Sequence, residues 1–359
     1  MAGETFRRQT RTLRVGDLYL GGAYPVRVQS MNSRPALDIE GNLQELHRLA
    51  EAGCELSRLA VPSAESLSAF KAIVARSPLP LVADIHFDWK LALGAIEAGA
   101  SALRLNPGNI PDKSGLRQVA KAAKERGLPI RIGVNAGSLS PDILNRYGGV
   151  TAEALKASAL EAVSLLEAEG FEDICISLKA SHAPLMIKAN QLLAQACDYP
   201  LHLGLTEAGT PKRGGIKSAA ALAPLLAAGL GDTIRVSLTA DPVEEVKAAW
   251  TILEALELRQ RSAQLISCPG CGRTAVDMRP LAQAVEEYLQ DLHQPLTIAV
   301  MGCAVNGPGE AREADLGLAG GKGEYLLFAK GKVLYKVPED QALTCLKQEI
   351  AKLLEKPQP

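Results

Sequence analysis

The sequence holds no run of about 18 apolar residues, the length a helix needs to cross a bilayer, so no membrane span is expected. Its N-terminus, MAGETFRRQTRTLRVG, is charged and lacks the apolar stretch of a secretory signal. The expected location is therefore the cytoplasm, a reducing compartment. Charge of one sign is also missing: 39 Lys and Arg stand against 40 Asp and Glu, a net −1. No global field draws in nucleic acid or anionic lipid, and any preference for an anion must be built locally. Aromatic residues are only 4%, too few to suggest the base-stacking platforms of single-strand binders. Neither a nucleic acid nor a membrane is expected as a partner. Seven Cys in a reducing setting point to metal ligation or buried thiols rather than a disulfide framework.

What the chain does have is rhythm. Its 359 residues suggest two domains. Over the first 258 or so, a short β-branched or Leu-rich run gives way to a polar turn and then to an Ala/Leu/Glu/Lys helix. The strand candidates are Val26–Ser30, Leu56–Val61, Leu81–Ile85, Ala102–Asn106, Ile130–Asn135, Ile174–Lys179, Leu201–Thr206 and Thr233–Leu238. Several intervening helices end at a Gly suited to a C-terminal cap, such as Gly53 and Gly170. Eight such units predict parallel strands with right-handed crossovers, an α/β fold of the (β/α)₈ (TIM) barrel type. The rival, a doubly wound sheet, usually carries a Gly-rich phosphate turn after its first strand. Here that run ends in Gln29-Ser30-Met31-Asn32, which favours the barrel.

After Arg261 the character changes, which divides the chain into 1–260 and 261–359. The second region reads as a small α+β domain. Its expected elements are a helix near Ala282–Leu292, a strand near Leu296–Val300, a Gly-rich stretch through Gly323, a hairpin of Tyr325–Ala329 and Lys332–Val337 turning at Lys330-Gly331, and a last helix, Asp340–Leu354. The connection Leu258–Ile266 is short and has no Gly or Pro.

Four strand candidates carry Arg in mid-run: Arg58, Arg104, Arg131 and Arg235. A fifth ends in Lys179. Burying a cation between apolar neighbours is costly without a partner. One case would suit a structural ion pair; four in equivalent units suggest convergence on one anion. Strand C-termini line the active face of such a barrel, and the polar groups there include Gln29, Asp84, His86, Asn106, Asn135, Thr206, Glu207 and Ser237. Guanidinium groups grip phosphate oxygens bidentately, so the set suits a phosphorylated or diphosphate substrate. The competing account is a network of internal ion pairs using Asp84 and Glu207. His86 is either a donor to the substrate or a satisfied core His. Glu207 is either an acid–base group, its protonated form favoured beside a polyanion, or an orienter of a neighbouring Arg. The remaining His residues, His202 among them, have no constellation.

Cys268-Pro-Gly-Cys271 is a C-x-x-C knuckle, which on its own fits zinc as well as an iron–sulfur cluster. A zinc ribbon needs a second such knuckle, and none follows; a single Cys303 lies in MGCAVNGPGEA instead. Cys54, Cys175, Cys197 and Cys345 read as small buried hydrophobes. Glu310, across a Gly-Pro-Gly turn from Cys303, is either a fourth ligand or a solvated turn residue.

Together, SCPGCGRT, MGCAVNGPGEAREADLGLAGG, DIHFD, RLNPGNI, RIGVNAGSL, SLKAS and LTEAGT resemble the 4-hydroxy-3-methylbut-2-en-1-yl diphosphate synthases of the methylerythritol phosphate route, over nearly the whole chain. The resemblance implies a barrel plus a [4Fe–4S] domain and a two-electron reductive ring opening and dehydration of 2-C-methyl-D-erythritol 2,4-cyclodiphosphate. It implies cluster ligands at Cys268, Cys271, Cys303 and Glu310. It implies diphosphate contacts at Arg58, His86, Arg104, Arg131, Asn135, Lys179, Arg235 and Ser237, with Asn106 and Thr206 beside them, and Glu207 near the reacting hydroxyl; Asp84, a polar group at a strand end, is placed with the substrate-binding residues. Ferredoxin or flavodoxin is the implied electron donor. The short connection matches the two-domain bacterial form, which is a head-to-tail homodimer. Outside that family, the residues alone also allow a zinc-stabilised phosphate-handling barrel similar to pterin synthases.

Overall fold

Short apolar runs separated by Ala/Leu-rich segments build alternating strands and helices, and the central barrel strands are buried on both faces. The computed structural model describes residues 7–86, 88–106, 110, 112–290, 292–304, 309 and 311–355. The chain forms two compact units, Met1–Arg259 and Gln260–Pro359.

The first unit opens with a hairpin the sequence reading did not anticipate, β1 (Leu13–Val15) and β2 (Leu18–Leu20), paired antiparallel. Eight parallel strands follow: β3 (Arg27–Met31), β4 (Leu56–Ala60), β5 (Leu81–Asp84), β6 (Ala102–Leu105), β7 (Ile130–Asn135), β8 (Ile174–Lys179), β9 (His202–Leu203) and β10 (Thr233–Ile234). They pair in chain order from β3 through β8, while β10 joins β9 to β3. A parallel bridge between Ile176 and Leu201 brings β8 to the chain entering β9 and completes the ring. This is a (β/α)₈ barrel.

Two of the strand expectations need correction. Leu201–Thr206 and Thr233–Leu238 shrink to two-residue ladders, His202–Leu203 and Thr233–Ile234. Gly204 marks the place: a Cβ there would lie 2.6 Å from the Arg235 carbonyl oxygen, so the two chains approach backbone to backbone and leave regular register.

Side chains alternate across each strand. Val28, Leu59, Ala83, Leu103, Ile130, Ile132, Ile176 and Ile234 face the helix layer and are almost fully buried in one apolar cluster. The opposite parity points into the barrel. Its lower end is closed by Leu13, Val15 and Leu20 of the hairpin, packed on Leu56, Val82, Ala102 and Cys175. Above that plug the interior is polar.

The second unit is a five-stranded mixed sheet in the order β11 (Gln264–Ser267), β12 (Thr297–Met301), β13 (Leu316–Gly320), β14 (Glu324–Ala329), β15 (Lys332–Pro338). The first three are parallel and the last two antiparallel. Helices Arg279–Gln290 and Ala342–Glu355 supply Val285, Leu289, Leu346 and Ile350 to its core. Lys330 and Gly331 both adopt left-handed φ, 46° and 75°, as the two-residue hairpin turn requires. Two expectations fail here. Gln264–Ser267 is strand rather than connection, since Gln264 to Ser267 ladder onto Thr297 to Val300. The Gly-rich stretch contains β13: the Phe328 ring occupies the space a side chain on Gly317 would take, with a Cβ 2.3 Å from Cζ. No helix among the described residues is long and apolar enough to cross a membrane.

Candidate active site

Neighbouring strands deliver five cations to the barrel interior. Register pairs Arg104 with Arg131 across β6 and β7, and Asp84 with Arg104 across β5 and β6. Asp84 is the central carboxylate. Its Oδ1 lies 3.2 Å from Arg104 Nη1, and its Oδ2 lies 3.6 Å from both Arg58 Nε and His86 Nε2. Burial opposes its ionisation, but the His86 hydrogen bond and the charges of Arg58 and Arg104 outweigh that and hold the carboxyl well below its usual range. Arg235 has its own acid, Glu245, at 3.3 Å.

Room for these side chains comes from glycine. A Cβ on Gly133 would stand 2.4 Å from Arg104 Nε, and one on Gly204 would stand 3.1 Å from Lys179 Nζ. The Met31 thioether fills the gap between two guanidiniums, 2.7 Å from Arg58 Nη2 and 3.6 Å from Arg235 Nη1.

Charge does not balance. Asp84 and Glu245 face Arg58, Arg104, Arg131, Lys179 and Arg235. Among the described residues Arg131 donates only to the neutral Gln29 Oε1, and Lys179 is paired with no acceptor. Burial, then the charges of Arg235, Arg58, Arg131 and Arg104, push the Lys179 ammonium well below its ordinary pKa. Burial likewise lowers Arg58 to about 9 and Arg131 to about 10, and both stay guanidinium at neutral pH. Such a surplus of buried positive charge is unfavourable until an anion arrives.

The other residues singled out from the sequence sit at the C-terminal ends of these strands. Asn106 is buried; Asn135, Thr206 and Ser237 are half-buried. His86 leans on Asp84 with 57% of its side chain exposed. Glu207 is exposed and takes φ 55°, a left-handed conformation that non-glycine residues seldom hold. It is not the second acid of the cation cluster; Glu245 is.

In the second unit, β11 and β12 are parallel neighbours, so Cys268 and Cys303 follow adjacent strand ends. The Gly302 N–H donates to Cys268 Sγ at 3.1 Å. Cys271 is exposed, and its thiol is drawn below its ordinary pKa chiefly by a backbone hydrogen bond at Arg273, helped by that side chain's charge and by Thr274. N–H groups aimed at sulfur and a thiol biased toward thiolate suit a sulfide-rich cluster. Among the described residues no three His, Cys, Asp or Glu side chains stand gathered as a ready-made metal site. Glu310 lies outside the described residues.

The GcpE TIM-barrel domain matches residues 10–250, and the GcpE protein C-terminal domain matches residues 264–352. The chain belongs to the GcpE family. GcpE relatives named 4-hydroxy-3-methylbut-2-en-1-yl diphosphate synthase (flavodoxin) include one from Geobacillus kaustophilus, 52% identical over 97% of this chain and 93% of its own length. Another, from Bacillus subtilis, is 51% identical over 98% of this chain and 93% of its own. Among solved structures, dihydropteroate synthase from Stenotrophomonas maltophilia aligns with a TM-score of 0.49 at 17% identity, over 69% of this chain and 98% of its own.

Within this GcpE barrel, sequence reasoning passed over three interior residues: Met31, His202 and Glu245. His202 is fully enclosed, its Nδ1 2.7 Å from Thr233 Oγ1 and its Nε2 without a partner among the described residues. Strand parity was the available signal. His202, Gly204 and Thr206 alternate with Leu201, Leu203 and Leu205, which face the apolar layer. Glu245 left no such signal, because it reaches Arg235 from the helix Pro242–Ala255.

Proposed function

We infer that this chain is a 4-hydroxy-3-methylbut-2-en-1-yl diphosphate synthase that takes 2-C-methyl-D-erythritol 2,4-cyclodiphosphate, adds two electrons, opens the ring and expels water. The observation that carries the reading is the uncompensated cation cluster, Arg58, Arg104, Arg131, Lys179 and Arg235 over Asp84 and Glu245, at the active face of a barrel of this family.

The diphosphate accepts from these cations, with His86, Asn106, Asn135, Thr206 and Ser237 at the rim. As the ring C–O bond breaks, negative charge grows on the departing diphosphate, where fixed guanidiniums stabilise it without reorganising. Burial and the four arginines hold the Lys179 pKa below its ordinary value, and a bound anion favours its charged form. Glu207 donates a proton to the leaving hydroxyl, which departs as water. A [4Fe–4S] cluster on Cys268, Cys271, Cys303 and Glu310 supplies the electrons singly when bound.

Flavodoxin, the donor in the relatives' names, is our choice of electron source over ferredoxin. We assign a head-to-tail homodimer on the family resemblance, and the cytoplasm as a compartment that keeps seven cysteines reduced. Anaerobic turnover of the cyclic diphosphate with a chemical reductant tests the reading. The linear allylic diphosphate should accumulate; brown, iron- and sulfide-loaded protein that forms none would sink it.

A further inference from the structure

Arg131 is held differently from the other barrel arginines. Arg104 and Arg58 share Asp84, at 3.2 and 3.6 Å, and Arg235 has Glu245 at 3.3 Å. Arg131 is 6% exposed and donates to the side-chain amide of Gln29, itself 2% exposed. Its register partners on the flanking strands are Arg104 and Cys175, neither of them an acid.

The orientation of that amide is fixed by chemistry. A guanidinium has only donors, so the Gln29 oxygen must face it and the Gln29 NH₂ must face away. There the nitrogen is buried with no partner among the described residues. An orphaned buried donor lowers stability. Glutamate has the same shape, would leave no orphan donor, would make a charge-assisted bond to Arg131, and would relieve the repulsion among the barrel cations. On folding grounds alone, glutamate is the better residue at position 29. Glutamine has one advantage: a neutral acceptor aims a guanidinium without cancelling its charge.

We propose that Gln29 is a positioning residue for Arg131, orienting the guanidinium through a neutral amide so that its full charge is kept for a phosphate group of the substrate. This rests on the diphosphate reading of the barrel. Gln29 touches the reaction only through Arg131. The cost is a less stable barrel floor.

The test uses the full chain, inorganic pyrophosphate as the binding probe and the cyclic diphosphate as substrate. Gln29→Glu should weaken pyrophosphate binding by about tenfold or more and raise KM more than it lowers kcat, while the thermal midpoint rises. A structural amide would not move affinity and stability in opposite directions. Folded Gln29→Glu protein that binds pyrophosphate within about twofold of the parent overturns the proposal. Gln29→Met provides the second arm, removing the acceptor without adding charge. It should cost about three- to tenfold in pyrophosphate affinity in the parent and almost nothing in an Arg131→Met background. Equal losses in both backgrounds overturn it. If the parent binds pyrophosphate but never consumes the cyclic diphosphate, the functional reading fails and the Gln29–Arg131 relationship is still decided by these variants.

Discussion

Gly133 leaves open the space that the Arg104 guanidinium fills. A Cβ on Gly133 would come within 2.4 Å of Arg104 Nε and 2.9 Å of Cζ, and the same guanidinium reaches Asp84 at 3.2 Å. An inward-facing glycine on one strand is thus the steric condition for a buried cation on the next.

Gly133→Ala tests that condition. The methyl group must displace Arg104, which is held against Asp84 and cannot swing freely. Overpacking of this kind costs roughly 1–3 kcal/mol. The expected result is a lower thermal midpoint together with a KM increase that exceeds any fall in kcat. An unchanged KM would show that Arg104 does not meet the diphosphate.

Asp84→Asn removes the carboxylate that Arg58, Arg104 and His86 share. Breaking a buried ion pair from one side costs roughly 3 kcal/mol or more, because charges are left uncompensated. The Asp84 carboxyl is held below its usual range, so its contribution is fully present above about pH 4 and is lost as pH falls further. Denaturant titrations between neutral and acid pH should therefore show a flatter acid limb in Asp84→Asn than in the parent.

Lys179 should couple anion binding to proton uptake. Its ammonium is pushed well below the ordinary value by burial and by four arginines. Over the window from that lowered value to about 10.4, the unfolded chain binds the proton that the empty barrel does not, so stability rises with pH. A bound diphosphate raises the Lys179 pKa again, so binding takes up a proton and affinity falls as pH rises through the same window. Calorimetry in buffers of different ionisation enthalpy reads that proton directly. Lys179→Met should abolish the uptake and lower affinity; uptake that persists in Lys179→Met would mean another group is responsible.

The cysteine assignments predict metal content. Protein purified without oxygen should be brown and carry iron with acid-labile sulfide, and removing the iron with a chelator should bleach it and stop turnover. Cys303→Ser should lose most of the iron. Glu310→Gln should keep the three thiolate positions yet alter the cluster spectrum and turnover. Full turnover with an unchanged spectrum in Glu310→Gln counts against its ligand role.

Sequence alone carried the barrel and the positions of its cations. Period-two parity puts Arg58, Arg104, Arg131 and Lys179 on the face opposite residues such as Leu59, Leu103, Ile132 and Leu178, and a covalent alternation needs no tertiary information. The same holds for the cysteine knuckle and the Lys330-Gly331 turn, which are fixed by local spacing and backbone sterics. Tertiary structure decided who partners whom. Glu245 reaches Arg235 from a helix, Gln29 faces Arg131 from 102 positions away, and the Leu13–Leu20 hairpin closes the barrel floor. It also made Gly317, an apparent loop signal, a strand residue beneath Phe328, and ended the strand expected through Gly204 where that glycine meets Arg235. The physical reason is that a strand's own alternation says which face a side chain takes, whereas charge compensation and close approach depend on what chain closure brings opposite it.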